Sequence, residues 1–128
     1  MGIEKMKKVG AAVIVFNPKG QILLGKHKQD GLWRLPGGKN EGEPLIETAY
    51  RELKEESGLD LPLEDFTFYS NVEDDQYLVP IYTVLTDQTP TNGEPDKFSD
   101  WVFFHYHTIP EKLFGLSRVA IDEYVLWD

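Results

Sequence analysis

Glu52, Glu55 and Glu56 stand at spacings of i, i+3 and i+4. On a helix that spacing gathers their carboxylates, at a cost of roughly 0.2–0.5 kcal/mol for each like-charged pair on an exposed surface. Arg51 can relieve Glu55, and Glu47 can pair with Arg51 in turn, whereas Glu52 and Glu56 have no basic residue three or four positions away. A hard divalent cation would resolve the repulsion. Mg²⁺ prefers oxygen ligands in octahedral array, takes a few carboxylates, and leaves positions for water and phosphate oxygens. The competing reading is a solvated acidic helix face with no ligand.

The segment carrying these glutamates is punctuated as a helix. Pro44 suits the first helical position, where its missing N–H costs nothing, and Gly58 suits the left-handed residue beyond the end. The helix is therefore expected from about residue 44 to 57, with Ile46, Ala49, Tyr50 and Leu53 as its inward stripe and the glutamates beside it. Around it the sequence predicts strands: Lys8 to Phe16, Gln21 to Gly25 across the turn Asn17-Pro18-Lys19-Gly20, and Trp33 to Leu35 before a glycine-rich loop. Phe66 to Ser70 and Gln76 to Leu85 flank a polar turn at Asn71 to Asp75, Asp87 to Lys97 reads as a loop, and Ser99 to Tyr106 as a further strand. Ser117 is the expected N-cap of a last helix, with Val119, Ala120, Tyr124 and Val125 inward. Strands on both sides of one central helix, plus a terminal helix, indicate a layered α/β domain.

From Gly37 to Leu59, the residues Gly37, Glu43, Arg51, Glu52, Leu53, Glu55, Glu56, Gly58 and Leu59 form the pattern Gly-x5-Glu-x7-Arg-Glu-U-x-Glu-Glu-x-Gly-U, with U a bulky aliphatic residue. The chain thereby resembles the Nudix hydrolase family, and its small MutT-like members in particular. One departure is visible: family loops usually read Gly-Gly-x-x-Glu-x-Gly-Glu, and this chain lacks one residue between Glu41 and Gly42, so the pattern is met through Gly37 and not Gly38. The resemblance implies one domain over residues 1–128, an α/β/α sandwich with a mixed β-sheet. It also implies hydrolysis of a nucleoside diphosphate linked to a moiety X, using Mg²⁺ or Mn²⁺. Glu52, Glu55 and Glu56 are then the expected metal carboxylates, the carbonyl of Gly37 or Gly38 a further ligand, Arg51 the residue that orients the glutamates, and Glu43 a brace for the loop. The general base would come from Glu52, Glu56 or a downstream carboxylate, with Glu94, Asp96 and Asp100 as candidates. Lys26, Arg34 and Lys39 would reach phosphate oxygens, while Tyr77, Tyr82 or Phe114 would stack a base.

For X, the run Gly31 to Lys39 and the later residues Glu94 to Lys97, Trp101 and Ile109 to Phe114 resemble relatives that cleave nucleoside triphosphates. The leading expectation is thus conversion of a (deoxy)nucleoside triphosphate to monophosphate and pyrophosphate. Diadenosine polyphosphate or nucleotide-sugar hydrolysis is the alternative, Tyr77 standing about where the former enzymes carry a tyrosine. ADP-ribose hydrolysis is disfavoured because Asp74 and Asp75 stand where a proline is usual. A non-catalytic nucleotide-binding module is disfavoured because every glutamate of the pattern is present.

Composition sets outer bounds. With 41% hydrophobic residues the chain can build a core, and the absence of cysteine removes disulfides and thiolate metal sites. A formal charge of −9 argues against a nucleic-acid polymer held by general electrostatics, while leaving room for a nucleotide whose phosphates a cation neutralises. Lys5, Lys7 and Lys8 before the apolar run Val9 to Phe16 superficially copy a secretory signal, but the run is short and ends in a turn. A cytoplasmic protein is the expectation, with no membrane partner and with a homodimer suggested by the family.

Overall fold

A computed structural model describes residues 6–127, so Lys5 of the basic stretch lies outside the described residues. Strand β1 (Lys8–Phe16) is the spine of the molecule. Its apolar run is continuous because both faces are covered, as expected for a central strand between two layers. Ala11, Val13 and Val15 face one layer, and Ala12, Ile14 and Phe16 the other.

Strand β2 (Ile22–His27) returns antiparallel to β1, in register at Phe16 and Ile22. The two strands then diverge like a fork. Within the fork β2 pairs with β3 (Trp33–Arg34), and β1 takes β4 (Gly37–Lys39) as its antiparallel neighbour. On the other side of β1, β6 (Tyr77–Leu85) pairs parallel to it and is edged by antiparallel β5 (Thr67–Glu73), while β7 (Phe98–Phe104) pairs with β2. The sheet is therefore mixed.

Helix α1 (Leu45–Ser57) covers one face, where Ala49 and Leu53 pack with Ala11, Val13, Val15 and Leu23. Helix α2 (Gly115–Trp127) covers the other, where Leu116, Ala120 and Ile121 pack with Ile14, Ile22 and Leu24. The result is the expected α/β/α sandwich. Gly58 closes α1 in the left-handed conformation at φ 72°, with its N–H donating to the Lys54 carbonyl.

Four local expectations differ from the structure. The glycine-rich loop is a strand, because Gly37 and Gly38 can lie flat against β1: a Cβ on Gly37 would stand 2.8 Å from the Ala12 Cβ. The predicted turn at Asn71 to Asp75 is shorter, since β5 runs on to Glu73 and polar Asn71 and Glu73 are tolerated on an edge strand; the turn is set by Asp74, whose Oδ1 accepts the N–H groups of Gln76 and Tyr77. Ser117 lies inside α2 instead of capping it, and its buried Oγ accepts the Leu35 N–H at 3.0 Å. Val119 points outward, at 49% exposure, and Ile121 takes the inward place.

Leu53 is fully buried between α1 and the sheet. Truncation to alanine in so enclosed a position costs about 2–5 kcal/mol. Urea denaturation of Leu53→Ala is expected to show that loss of stability, with an unchanged slope.

Candidate active site

The C-terminal half of α1 aims its carboxylates at β4. Glu56 is almost wholly buried, and its Oε1 accepts the Gly37 N–H at 2.9 Å. Glu52 lies against Gly38, where a Cβ would stand 2.6 Å from its Oε1, so any side chain there would have to displace the carboxylate. Glu55 is turned outward and is 45% exposed.

Arg51 gathers the acidic groups around it. Its guanidinium donates to Glu52 at 2.9 Å, to Glu55 at 3.2 Å, to Glu43 at 3.3 Å and to the Lys39 carbonyl at 3.0 Å. Glu52 thus finds a basic partner in the adjacent residue, and Glu47 is not among the partners of Arg51. Glu43 braces the loop: it accepts the Glu41 N–H, the Thr48 hydroxyl at 2.6 Å and an Arg51 N–H, which together hold its carboxyl down at about 2.

The third carboxylate near Glu52 and Glu56 comes from far along the chain. The segment between β6 and β7 is strapped to the end of α1, with the Thr91 N–H donating to the Ser57 carbonyl at 2.7 Å and the Gly93 N–H to the Glu56 carbonyl at 2.9 Å. This brings in Glu94, whose Oε1 is buried without a hydrogen-bond partner and whose other oxygen meets Lys97 at 3.6 Å. Burial raises the Glu56 carboxyl well above the usual carboxylate range, and the charges of Glu52 and Glu94 push it further. Burial also raises Glu52, with Arg51 opposing and Glu55 and Glu94 adding to the shift.

Among the described residues no three acidic or histidine side chains stand close enough together to hold a metal ion as they are placed. Arg51 holds Glu52 and Glu55, and Gly37 holds Glu56. Even so, Glu52, Glu56 and Glu94 are mutually repelling, under-compensated and oxygen-only, and one buried oxygen lacks any partner. That donor set fits a hard divalent cation.

On the opposite face of β4 lies a cleft of about 800 Å³. Its floor includes Ala12, Val79 and Ile81, Tyr77 and Phe114 line it, and its charged lining is Lys8, His27, Arg34, Lys39 and Lys97. Carboxylates on one side of a three-residue strand thus face cations on the other.

The NUDIX domain family profile matches residues 6–124. The chain belongs to the Nudix family. A MutT NUDIX hydrolase from Burkholderia pseudomallei superposes with a TM-score of 0.82 at 29% identity, covering 92% of this chain and 98% of that one. A Bacillus subtilis (strain 168) protein named as a candidate 8-oxo-dGTP diphosphatase is 51% identical over 55 residues, 42% of this chain and 37% of that protein. An RNA pyrophosphohydrolase of Wolbachia pipientis subsp. Culex pipiens (strain wPip) is 42% identical over 59 residues, 44% of this chain and 36% of that protein. The matched stretch therefore spans little more than a third of these two curated relatives.

Within this Nudix domain the residues expected from sequence fall into three groups. Gly37, Arg51, Glu52, Glu55, Glu56 and Glu94 meet around β4 and the end of α1. Arg34, Lys39, Tyr77 and Phe114 line the cleft, although the Phe114 ring is covered by the Arg34 guanidinium at 4.5 Å and Lys8 Nζ stands 5.9 Å from the Tyr77 ring. Lys26 is exposed outside the cleft lining, Asp100 Oδ1 accepts the Trp101 N–H, and Tyr82 is buried in the α1-side core against Phe68. His27 lines the cleft without a motif to mark it, and Lys97 lines it from the end of the Glu94 to Lys97 stretch. They are neighbours because β2 and β7 pair His27 with Phe98, a contact between distant segments.

Glu43 yields a pH test. Its carboxyl ionises at about 2 in the folded chain against an ordinary 4.5, so its stabilising contribution is present above pH 4.5 and is lost as pH falls toward 2. Glu43→Gln is expected to lower the urea midpoint at pH 7, and the gap from the wild-type protein should narrow steadily across that acid range.

Proposed function

We propose that this chain, acting as one Nudix domain, hydrolyses nucleoside triphosphates to monophosphate and pyrophosphate in the presence of Mg²⁺, with Mn²⁺ as a substitute. The observation that carries this reading is the buried, partnerless Glu94 oxygen beside Glu52 and Glu56, next to a cationic cleft of nucleotide size.

Glu52 and Glu56 would hold the cation together with the Gly37 carbonyl, with Glu94 beside them, and Glu55 would join only by leaving Arg51. When bound, the cation screens the diphosphate and lowers the pKa of a coordinated water. The protein's own groups do the rest. The Gly37 N–H fixes the rotamer of Glu56, and Arg51 holds Glu52 to the loop braced by Glu43. The free Oε1 of Glu94 accepts the proton of the attacking water, so Glu94 is the general base in this reading. Lys97 neutralises its other oxygen and extends positive charge toward the phosphates in the cleft. Arg34, on the far wall, orients the chain of phosphates or the base edge.

Pyrophosphate release from a panel of nucleoside triphosphates, compared with mononucleotide release from dinucleoside polyphosphates, tests the substrate class. Turnover of the second set alone would transfer the assignment to dinucleoside polyphosphates, and Mg²⁺-dependent turnover of neither would leave a binding module. Glu56→Gln and Glu94→Gln should each lower kcat by about 100-fold or more while the chain stays folded, the scale on which a lost acid–base group acts. A neutral Glu94→Gln would return the base to α1.

Gly38→Ala separates the site from the fold. The added methyl meets the mobile end of Glu52, so the chain should melt within a few degrees of the wild-type protein. The thermal shift produced by Mg²⁺ should nevertheless be lost, because Glu52 is displaced. A full Mg²⁺ shift in this variant would remove Glu52 from the ligand set.

A further inference from the structure

The cleft beside β4 is free of carboxylates in a chain that carries 22 acidic residues against 13 basic ones. Two of its five basic side chains are already engaged with acids, Arg34 with Asp30 at 2.6 Å and Lys97 with Glu94 at 3.6 Å. Lys8 and Lys39 have no ion-pair partner among the described residues.

These two lysines share one face of the sheet. Lys39 is opposite Gly10 in the β1–β4 pairing, and Lys8 lies two residues before Gly10 on the same face. Gly10 puts no side chain between them. Tyr77, opposite Lys8 on β6, and Gln76 complete a shelf at the mouth of the cleft. Two acids of the neighbouring β5–β6 hairpin are engaged elsewhere: Glu73 pairs with Lys7, and Asp74 accepts backbone N–H groups of the turn.

The shelf lies on the cleft face of β4, across the strand from the carboxylate cluster and displaced along it. Lys39 is two strand positions from Gly37, about 7 Å, and Lys8 is about as far again along β1. A nucleoside whose only charges are its 5′ phosphates would place those charges at Glu52, Glu56 and Glu94 and leave a neutral base and sugar before two unpaired lysines. A second phosphate on the same nucleoside, one sugar away from the first, would place its charge on the side of the unpaired lysines.

We propose that the Lys8–Lys39 shelf is an anion subsite for a phosphate ester on the 3′ side of the bound nucleoside, so that the preferred substrates are 5′-polyphosphorylated nucleotides carrying a 3′-phosphate group. This rests on the reading that the 5′ phosphates lie at the carboxylate cluster. The 3′ ester has two chemical sources, a free nucleoside 3′-phosphate or the first linkage of an RNA end.

The experiment measures binding without requiring turnover. Calorimetry with Mg²⁺ compares adenosine 5′-monophosphate, adenosine 3′,5′-bisphosphate and the 5′-phosphorylated dinucleotide pApA. The wild-type protein is expected to bind one or both 3′-esterified ligands about fivefold more tightly than the monophosphate, the scale of two partly exposed charge contacts. That ratio should fall toward one in Lys8→Gln and in Lys39→Gln. It should persist in Lys7→Gln, which removes the same charge from the neighbouring residue paired with Glu73. A gain confined to the bisphosphate identifies a free nucleotide, and one confined to pApA an RNA end; both support the subsite. A wild-type ratio of one, or a ratio unchanged in both cleft variants, overturns it. If triphosphates release pyrophosphate but no 3′ preference appears, only the subsite fails. If the 3′ preference holds and triphosphates are not turned over, the hydrolase reading fails and the subsite stands.

Discussion

Everything in the site depends on how closely the backbone of β4 approaches its neighbours. Gly37 lies flat on β1 and sends its N–H to Glu56, and Gly38 passes the carboxylate of Glu52 where a methyl group would not fit. A β-carbon on Gly37 would push β4 off β1, whereas one on Gly38 would displace the Glu52 carboxylate and leave the strand in place. The fork between β1 and β2 provides the space, and the glycines let the chain fill it. Strand and helix are then held by one guanidinium, since Arg51 reaches the Lys39 carbonyl of β4 as well as Glu52 and Glu55 of α1.

The acidic side of this arrangement is costly in the absence of a cation. Glu56 is buried and Glu52 nearly so, and the strap from β6 to β7 carries Glu94 into the same neighbourhood with one oxygen left unpaired. A buried acceptor without a partner is destabilising by the desolvation of that group. The fold tolerates it because the strap is anchored by backbone hydrogen bonds to the end of α1, at Ser57 and Glu56. Gly93 is part of that anchoring: a side chain there would overlap the Glu55 carbonyl. Stability spent at the site is recovered in the two apolar layers, where Leu53 and Ile14 are fully buried.

What could be foreseen from the residues was what they determine locally. Pro44 and Gly58 bracket α1, and the apolar run from Val9 to Phe16 marks β1. Strand β4 was hidden because glycines carry no alternation of polar and apolar side chains; its pairing follows from the absence of side chains, not their pattern. The end of β5 was misplaced because Asn71 and Glu73 look like turn residues yet sit on an edge strand facing solvent. Ser117 resembled a helix cap, but its hydroxyl serves the Leu35 N–H from the far end of the chain. In the site, the glutamates of α1 were visible as a cluster, whereas the separation of outward Glu55 from Glu52 and Glu56 depends on how deeply each is buried against β4. His27 had no signal, and the Glu94 to Lys97 stretch did not point Lys97 to the cleft, because the pairing of β2 with β7 is what makes the two neighbours.

The placement of opposite charges on the two sides of β4 has a consequence for how an anion arrives. The molecule as a whole is strongly negative, so at low ionic strength it repels a polyanion from a distance. In physiological salt, where the screening length is about 8 Å, that repulsion is largely confined to the surface. An approaching phosphate then meets the lysines of the cleft only at the last step of encounter. In the proposed reaction, orientation and not long-range capture is what those lysines would contribute, and added salt would speed the encounter up before it weakened the grip.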